Sequence, residues 1–336
     1  MRVLLTGATG SIGHEVWGLL SQLSGIELAG VSRRGDAERG VVAWQLGQEP
    51  RPAELDGHWD VVVHSAADTR WSMTDEQADQ ANVAPLQDVL ALTDADTHLV
   101  HVSTAYVTGL HGEGHSTDRD DYRNAYEWSK ALAEQRLREQ CTDYTVVRPS
   151  MVIGRRSDGY LSRFPGAYTL LHALTSGLAA ALVGDATAQV DLVPVDVVAA
   201  EIVGAVTGKR PGGERTVMVV AGATAPTFAE VVETACAVLN EYRKDHDAVP
   251  LAIPPFIPVE NWERFFLPFG RTVIGKHHLR AIDLLAAFQT YVGRPQPLPG
   301  GHPDTAEPLK SFTRSVQYWI DCHPRPALRV PQEWEL

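Results

Sequence analysis

The chain has 336 residues, 44% of them hydrophobic, so it can form one large or two modest domains, and this composition excludes a disordered chain. It carries 29 Lys and Arg against 42 Asp and Glu, a net charge of −13, which disfavours a general nucleic-acid or anionic-membrane surface. No apolar run approaches the roughly 20 residues that a membrane helix needs.

The cysteines and histidines indicate neither a disulfide framework nor a metal site. Cys141, Cys236 and Cys322 have no paired spacing, which favours a reducing compartment and a cytoplasmic location. His111 and His115 flank a glycine-rich stretch that is not helical, so we expect a surface loop there. The first predicted strand begins at residue 2, and no signal peptide is therefore expected.

The first predicted strand, residues 2–6, leads into the sequence TGATGSIG, and apolar residues then recur at helical spacing. A strand followed by such a loop and a helix is the context of a dinucleotide-binding motif. Gly7 allows the tight turn, Gly10 lets the backbone approach the pyrophosphate, and Gly13 permits close helix packing. The residues predicted to contact the cofactor here are Gly7, Thr9, Gly10, Ser11, Ile12 and Gly13.

The second predicted strand, residues 26–32, ends in Ser32-Arg33-Arg34, where NAD-binding proteins place a carboxylate for the ribose hydroxyls. Arginine can pair with a 2′-phosphate through its planar guanidinium. We therefore predict NADP(H) as the cofactor and Arg33 and Arg34 as its contacts. The alternative is a solvated arginine pair.

Further strands are predicted at residues 41–46, 60–64 and 99–103, with a helix at 75–92 between the last two. The alternation of strands and helices predicts an α/β fold with a parallel, doubly wound sheet. The fourth strand runs into HSAAD, whose small Ala66 and Ala67 let a cofactor lie close. Thr104 follows the fifth strand, at the sheet edge where such folds bind ligands.

A helix predicted at residues 124–140 carries Tyr126 and Lys130, which share one helix face because they are four residues apart. The spacing alone is common and also fits a solvated surface pair. A strand at 144–148 follows and leads into Pro149, Ser150 and Met151.

In this order and spacing, TGATGSIG, HSAAD, STAYV, YEWSK and RPSMVIG resemble the extended short-chain dehydrogenases/reductases. HSAADTRW, HVSTAYVTG and DLVPVDVV most resemble fatty acyl-CoA reductases and terminal thioester-reductase domains. The resemblance covers roughly residues 1–205. It implies a Rossmann core at residues 1–155 and a smaller, mostly helical substrate-binding region at 156–336, from which segments near 190–220 return to the core.

The resemblance makes Thr104, Tyr126 and Lys130 the catalytic residues. Tyr126 would deliver the proton, and the Lys130 ammonium would lower the pKa of the phenol and hold the nicotinamide ribose. Asn82 corresponds to a supporting member of a proton relay, but Pro85 disturbs its helix. The cofactor contacts implied in these later motifs are Ala66, Ala67, Tyr126, Lys130, Pro149, Ser150 and Met151.

Beyond residue 154 the predicted elements are helices at 163–176, 195–206, 227–242 and 311–320 and strands at 190–193 and 216–221. The resemblance makes Asp196 structural. A proline-rich connector at 250–258 precedes an aromatic stretch, so residues 256–292 are predicted to contribute a lid over an apolar substrate. Its apolar positions are Trp262, Phe265, Phe266, Phe269, Leu279, Ile282, Leu285 and Phe288.

The sequence thus predicts an NADPH-dependent reductase for the carbonyl of a bulky, largely apolar ketone, aldehyde or acyl thioester, in secondary metabolism. Its partner is a small molecule, free or presented on coenzyme A or a carrier protein, and the protein is a monomer or homodimer without a nucleic-acid partner. A nucleotide-sugar epimerase or dehydratase holding NAD is an alternative, although Val190 precedes Asp191 where those enzymes carry an arginine. A non-catalytic NADP(H)-sensing regulator is another.

Overall fold

A seven-stranded sheet forms the centre of the first of two compact units. The computed structural model describes residues 1–110, 112, 116–209, 212–266, 268, 291 and 296–331. All adjacent strands of this sheet are parallel. Numbered in chain order, they are β1 (Arg2–Thr6), β2 (Glu27–Ser32), β3 (Val41–Ala43), β4 (Val61–His64), β5 (His98–Val102), β6 (Asp143–Pro149) and β10 (Gly213–Val219).

The strand order β10-β6-β5-β4-β1-β2-β3 reverses direction between β1 and β4. The chain moves outward from β1 to β3 and then returns to the other side of β1. This reversal is the switch point of a doubly wound sheet, where ligands bind beyond the carboxyl ends of the strands. The predicted fold class is therefore confirmed.

Apolar side chains on both faces explain why these segments form central strands. Val3, Leu4 and Leu5 of β1 have no exposed surface, and neither have Val61, Val62 and Val63 of β4. Strands buried on both faces have continuous runs of valine and leucine rather than an alternating pattern. These two strands therefore fix the position of the switch point in the core.

The helices of the first unit are α1 (Ser11–Leu20), α2 (Asp75–Ala78), α3 (Pro85–Leu90), α4 (Ala125–Gln140) and α6 (Val195–Thr207). The prediction of one helix at 75–92 was wrong. A π-helical segment, Asp79–Val83, follows α2, and α3 starts at Pro85. Proline lacks the amide proton that would continue the preceding helix but is well tolerated at a first turn.

The two units share the chain discontinuously. The first comprises residues 1–150 and 195–219, and the second comprises residues 151–194 and 220–336. Elements of the second unit are β7 (Met151–Ile153), α5 (Tyr168–Ser176), β8 (Leu182–Val183), β9 (Leu192–Pro194), α7 (Phe228–Lys244), β11 (Phe256–Ile257), α8 (Val259–Asn261), α9 (Pro308–Cys322) and α10 (Pro324–Ala327). Its two small sheets pair β7 with β9 and β8 with β11, each in parallel.

Asp191 holds the backbone of the second unit at the start of β9. Its two carboxylate oxygens accept hydrogen bonds of 2.8 Å from the amides of Ala221 and Gly222. The side chain is 5% exposed, so both bonds are protected from water. Asp196, predicted to be structural, lies in the first turn of α6, where a carboxylate is favoured by the helix dipole.

Most of the predicted lid lies outside the described residues, including Phe269, Leu279, Ile282, Leu285 and Phe288. Of its described part, Trp262 is buried and Phe265 is 58% exposed, both in a π-helical segment, Trp262–Phe266. The proline-rich connector contains β11, a strand of two residues that pairs with β8. His111 and His115 also lie outside the described residues.

Arg243 is a fully buried cation that joins three backbone carbonyls of the second unit. Its Nε donates to Val249 O at 2.6 Å, and Nη1 donates to Ala327 O and Arg329 O at 2.6 and 3.1 Å. We expect Arg243→Met to lower the free energy of unfolding by about 2–4 kcal/mol, because it leaves buried carbonyls without donors. Urea denaturation measures this loss. The exposed neighbour Lys244→Met is the control, and an equal loss in both variants would contradict the assignment.

Candidate functional site

The glycine loop between β1 and α1 is compact because its glycines leave no room for side chains. Gly7 has φ +72°, and a Cβ there would lie 2.7 Å from the amide nitrogen of Ala66. A Cβ on Gly13 would lie 2.1 Å from Gly7 O, which also accepts a 2.8 Å bond from the Gly10 amide. Only glycine at these positions allows the loop to lie against both α1 and the segment after β4.

The N-terminus of α1 is suited to an anion. Gly10 is its N-cap residue and makes no side-chain cap, and the first turn has no acidic residue. The first amides of a helix lack intrahelical acceptors and carry the positive end of its dipole. Thr9, just before the N-cap, and Ser11 and Ile12, in the first turn, are each half-buried. The residues present therefore fit the pyrophosphate of a dinucleotide.

Two arginines follow β2 at the carboxyl edge of the sheet. Arg33 and Arg34 are both exposed, beyond the buried Ser32. Asp68, in the segment after β4, is bound by Arg70, which together with the nearby Arg33 lowers the pKa of its carboxyl group. Arg33 is therefore close to the loop after β4, on the switch-point side of the sheet.

Asn82 hydrogen-bonds to the backbone of the segment after β4. Asn82 accepts a 2.8 Å bond from Asp68 N and donates to Asp68 O and to Ser129 Oγ, both at 3.0 Å. Ala66, half-buried, and Ala67, exposed, lie in the segment held in this way. The Asn82 side chain thus shapes the loop and makes no hydrogen bond to Lys130 within the part of the chain that the structure describes.

Tyr126 and Thr104 lie together at the carboxyl end of β5. Asn124 caps α4 by accepting a bond from the Glu127 amide, which places Tyr126 in the first turn. The Tyr126 hydroxyl and the Thr104 side chain hydrogen-bond to each other. Thr104 is 3% exposed, and its Oγ1 also lies 3.4 Å from Pro149 O. A phenol and a hydroxyl thus converge at the edge where a ligand is expected.

The electrostatics of Tyr126 differ from the expectation. Loss of hydration at the phenol oxygen raises the pKa of Tyr126, the hydrogen bond from Thr104 acts in the opposite direction, and Glu127 raises it further. The phenol is therefore protonated at neutral pH and can act as an acid.

Lys130 is 1% exposed and is one of the largest fully buried side chains among the described residues. Its Nζ donates to Val102 O at 2.8 Å and lies 3.2 Å from His101 Nε2. Burial lowers the pKa of Lys130 to about 8, while Glu134, one turn further along α4, raises it. The spacing of four residues places Lys130 and Tyr126 on the same face of α4.

The segment after β6 passes from one unit to the other. Pro149 and Ser150 are buried in the first unit, where Ser150 N donates to Val219 O at 3.1 Å. Met151 belongs to the second unit and donates from its amide to Asp191 O at 3.3 Å. Pro149 and Ser150 therefore lie in the same compact unit as Thr104, Tyr126 and Lys130.

His101 was not singled out from the sequence. It is fully buried on β5, directly beside His64 of β4, and it contacts Lys130. The available signal was the motif pair HSAAD and HVSTAYV, in which each histidine lies within a predicted strand. Among the described residues, no group of three or more His, Cys, Asp or Glu side chains is placed to hold a metal ion.

The doubly wound sheet, the glycine loop at its switch point and the Thr104–Tyr126 pair are consistent with the resemblance to extended short-chain dehydrogenases/reductases that the sequence motifs indicated. The family described as male sterility protein matches residues 46–202. This match begins after the glycine loop and includes Thr104, Tyr126 and Lys130. No helix in the described part of the chain has both the length and the apolar character to cross a membrane.

One curated relative is the spore coat polysaccharide biosynthesis protein SpsK of Bacillus subtilis (strain 168), which is 28% identical over 170 residues. The match spans 48% of this chain and 56% of that relative.

Three of the solved structures that resemble this chain each cover at least 95% of it. The terminal R domain from the myxalamid PKS-NRPS biosynthetic pathway has a TM-score of 0.68 at 19% identity, covering 98% of this chain and 92% of that one. The PhqB reductase domain from Penicillium fellutanum has a TM-score of 0.66 at 16% identity, covering 96% of this chain and 93% of that one. UDP-glucuronic acid 4-epimerase from Bacillus cereus in complex with NAD has a TM-score of 0.58 at 15% identity, covering 95% of this chain and 99% of that one. Identities this low show the fold alone.

Proposed function

We propose that the protein is an NADPH-dependent reductase that transfers hydride to the carbonyl of a bulky, largely apolar ketone, aldehyde or acyl thioester. The observation that carries the proposal is the hydrogen-bonded pair of Tyr126 and Thr104 at the carboxyl end of β5, with the buried cation Lys130 on the same helix. The likeness to reductase domains of biosynthetic pathways supports the same chemistry. A binding protein would not require such a pair.

NADPH, when bound, supplies the hydride that adds to the carbonyl carbon. Thr104 donates a hydrogen bond to the carbonyl oxygen, which gains negative charge as the hydride arrives. Tyr126 gives its phenolic proton to that oxygen, so the substrate gains one hydride and one proton and the phenol becomes a phenolate. With an acyl thioester, this addition gives a hemithioacetal, whose C–S bond then breaks to release the thiol and leave the aldehyde. The Lys130 ammonium stabilises this anion, and the phenolate then recovers a proton from water.

The experiment incubates the purified protein and NADPH with a panel of acyl thioesters, aldehydes and bulky ketones and follows NADPH oxidation. Consumption of NADPH with formation of the corresponding alcohol or aldehyde is the expected result. Acyl groups presented on coenzyme A and on a carrier protein are compared, since the substrate is expected to be free or carried. The proposal would be contradicted if no carbonyl compound of this panel led to oxidation of NADPH.

A second function is favoured by the curated relative from polysaccharide biosynthesis and by the likeness to an epimerase that binds NAD. A nucleotide-sugar epimerase or dehydratase keeps NAD bound and recycles it without net consumption. Release of NAD on denaturing the purified protein, together with conversion of a nucleotide sugar, would support this function over a reductase. Loss of that conversion in Lys130→Met would then assign it to the same site.

The preference for NADPH rests on the arginines after β2. Because Arg33 is exposed and can pair bidentately with a 2′-phosphate, we expect Arg33→Ala to weaken NADPH binding about 10- to 100-fold and to change NADH binding little. Fluorescence titration with both cofactors measures this. Arg215→Ala, an exposed arginine on the opposite edge strand β10, is the control. Tighter binding of NADH than of NADPH by the unmodified protein would contradict the preference.

A further inference from the structure

Polar side chains form a row across the carboxyl ends of three neighbouring strands. Thr6 of β1 is the register partner of His64 on β4, which is in turn the partner of His101 on β5. Register partners project from the same face of a sheet. Thr6 Oγ1 lies 2.8 Å from His64 Nδ1, and the two histidine rings are 5.3 Å apart. Each of the three side chains is at most 1% exposed.

The Lys130 side chain extends from α4 and contacts His101, the last residue of this row. Its ammonium donates to Val102 O and lies 3.2 Å from His101 Nε2. The family resemblance implies Asn82 as the supporting member of a proton relay. Its carbonyl oxygen and both amide protons, however, are already hydrogen-bonded to Asp68 and Ser129. Within the described part of the chain, His101 is therefore the side chain that hydrogen-bonds Lys130.

Building on the proposed function, we propose that His101 is a positioning residue for Lys130. Its Nε2 accepts one N–H of the ammonium and, together with the Val102 carbonyl, keeps that cation charged and in place inside the protein. An ammonium without acceptors in such a position would lose its proton, because burial disfavours the charged form. His101 thereby maintains the positive charge that stabilises the phenolate of Tyr126.

The charged and titratable groups around Lys130 are consistent with this role. His64 faces it from β4 and His101 from β5, and burial lowers the pKa of His64 to about 3 and that of His101 well below its usual value, with Lys130 adding to both effects. Glu134, on the same helix, is bound by Arg148 of β6. Neutral histidine has one nitrogen that donates and one that accepts. Because Nε2 accepts from Lys130, the proton of His101 lies on Nδ1.

The first test is independent of turnover. In the protein labelled with ¹⁵N-histidine, NMR at pH 7 is expected to show His101 neutral, with its proton on Nδ1 and a bare Nε2. Lys130→Met is expected to shift the Nε2 resonance by removing its donor. A proton on Nε2 of His101 in the unmodified protein would overturn the proposal, because the ring would then donate to Lys130.

The second test uses the pH dependence of NADPH-dependent reduction, in which activity that needs the Lys130 ammonium falls as the pH rises through about 8. His101→Leu is expected to move this alkaline limb to lower pH by about one unit and to lower kcat about tenfold, because the cation loses an acceptor. His101→Gln retains an acceptor oxygen and is expected to restore the limb. If the alkaline limb of the pH–activity profile were unchanged in both His101 variants, the proposal would be overturned.

A matched control uses a second buried histidine on the same strand. His98 bonds Thr145 and lies 3.1 Å from the Asp143 carboxylate, away from Lys130. His98→Gln is expected to leave the alkaline limb in place, whatever its effect on thermal stability. A shift equal to that of His101→Leu would assign the effect to the fold and overturn the proposal. Should the protein reduce no carbonyl, the NMR result still decides the role of His101 separately from the proposed function.

Discussion

Tyr126→Phe is expected to lower kcat for NADPH-dependent carbonyl reduction by about 10²- to 10⁴-fold, the usual contribution of a positioned acid. In the proposed mechanism, the substitution removes the proton that the carbonyl oxygen receives, and it also removes the hydroxyl that bonds Thr104. The aromatic ring, half-buried near the start of α4, remains. Because only the oxygen is lost, we expect NADPH binding and thermal stability to stay close to those of the unmodified protein. Steady-state kinetics and a fluorescence titration measure the two effects.

Tyr122→Phe is the matched control for this variant. Tyr122 lies just before the same helix, and its hydroxyl donates to Ser116 O at 2.7 Å, so it is bound to backbone. We expect the loss of this hydroxyl to change stability slightly and kcat by less than about twofold. If Tyr126→Phe retained half of the activity or more, Tyr126 would not be the proton donor. Thr104→Val would then identify whether the neighbouring hydroxyl has that role.

Gly13→Ala is expected to have the second large effect, on cofactor binding. The added Cβ would lie 2.1 Å from Gly7 O and 2.8 Å from Gly7 C, both backbone atoms that no side-chain rotation can move aside. The loop must shift away from α1, which costs about 1–3 kcal/mol and displaces the amides proposed to bind the pyrophosphate. We therefore expect NADPH affinity to fall at least about 100-fold, measured by fluorescence titration.

Gly18→Ala provides the control in the same helix. A Cβ at Gly18 meets no atom within 4 Å, so the substitution adds helix propensity without a clash. We expect its free energy of unfolding to rise by about 0.5–1 kcal/mol and NADPH affinity to remain unchanged. Equal NADPH affinity in Gly13→Ala and Gly18→Ala would show that the loop does not form the pyrophosphate site.

Local patterns predicted the first unit well. The glycine loop, β1 and α4 lie where the motifs and periodicity placed them, because a tight turn, a buried strand and a capped helix depend on residues close in sequence. The helix at 75–92 was predicted wrongly from the same kind of pattern. Its apolar spacing continues past Pro85, but the backbone breaks into α2, a π-helical segment and α3.

The long-range contacts of the site were less accessible from the sequence. Nothing in the spacing of residues indicated that Asn82 would use its whole amide on Asp68 and Ser129, 14 and 47 residues away. Similarly, the spacing of Lys130 from Tyr126 did not indicate that the ammonium would also contact Val102 O and His101 of β5. A buried cation adopts the geometry that satisfies its protons, and the acceptors within reach depend on how helix and strand pack.

By itself, the sequence determined the class of this protein: a doubly wound α/β fold, with a glycine loop after β1 and Tyr126 and Lys130 on one helix. Those features follow from short spacings, since turns and helix faces are set by neighbouring residues. Only the tertiary structure decided that Thr6, His64 and His101 stand side by side and that Lys130 meets the last of them. The physical reason is strand register, which is set by the packing of the whole sheet and brings together residues far apart in the chain.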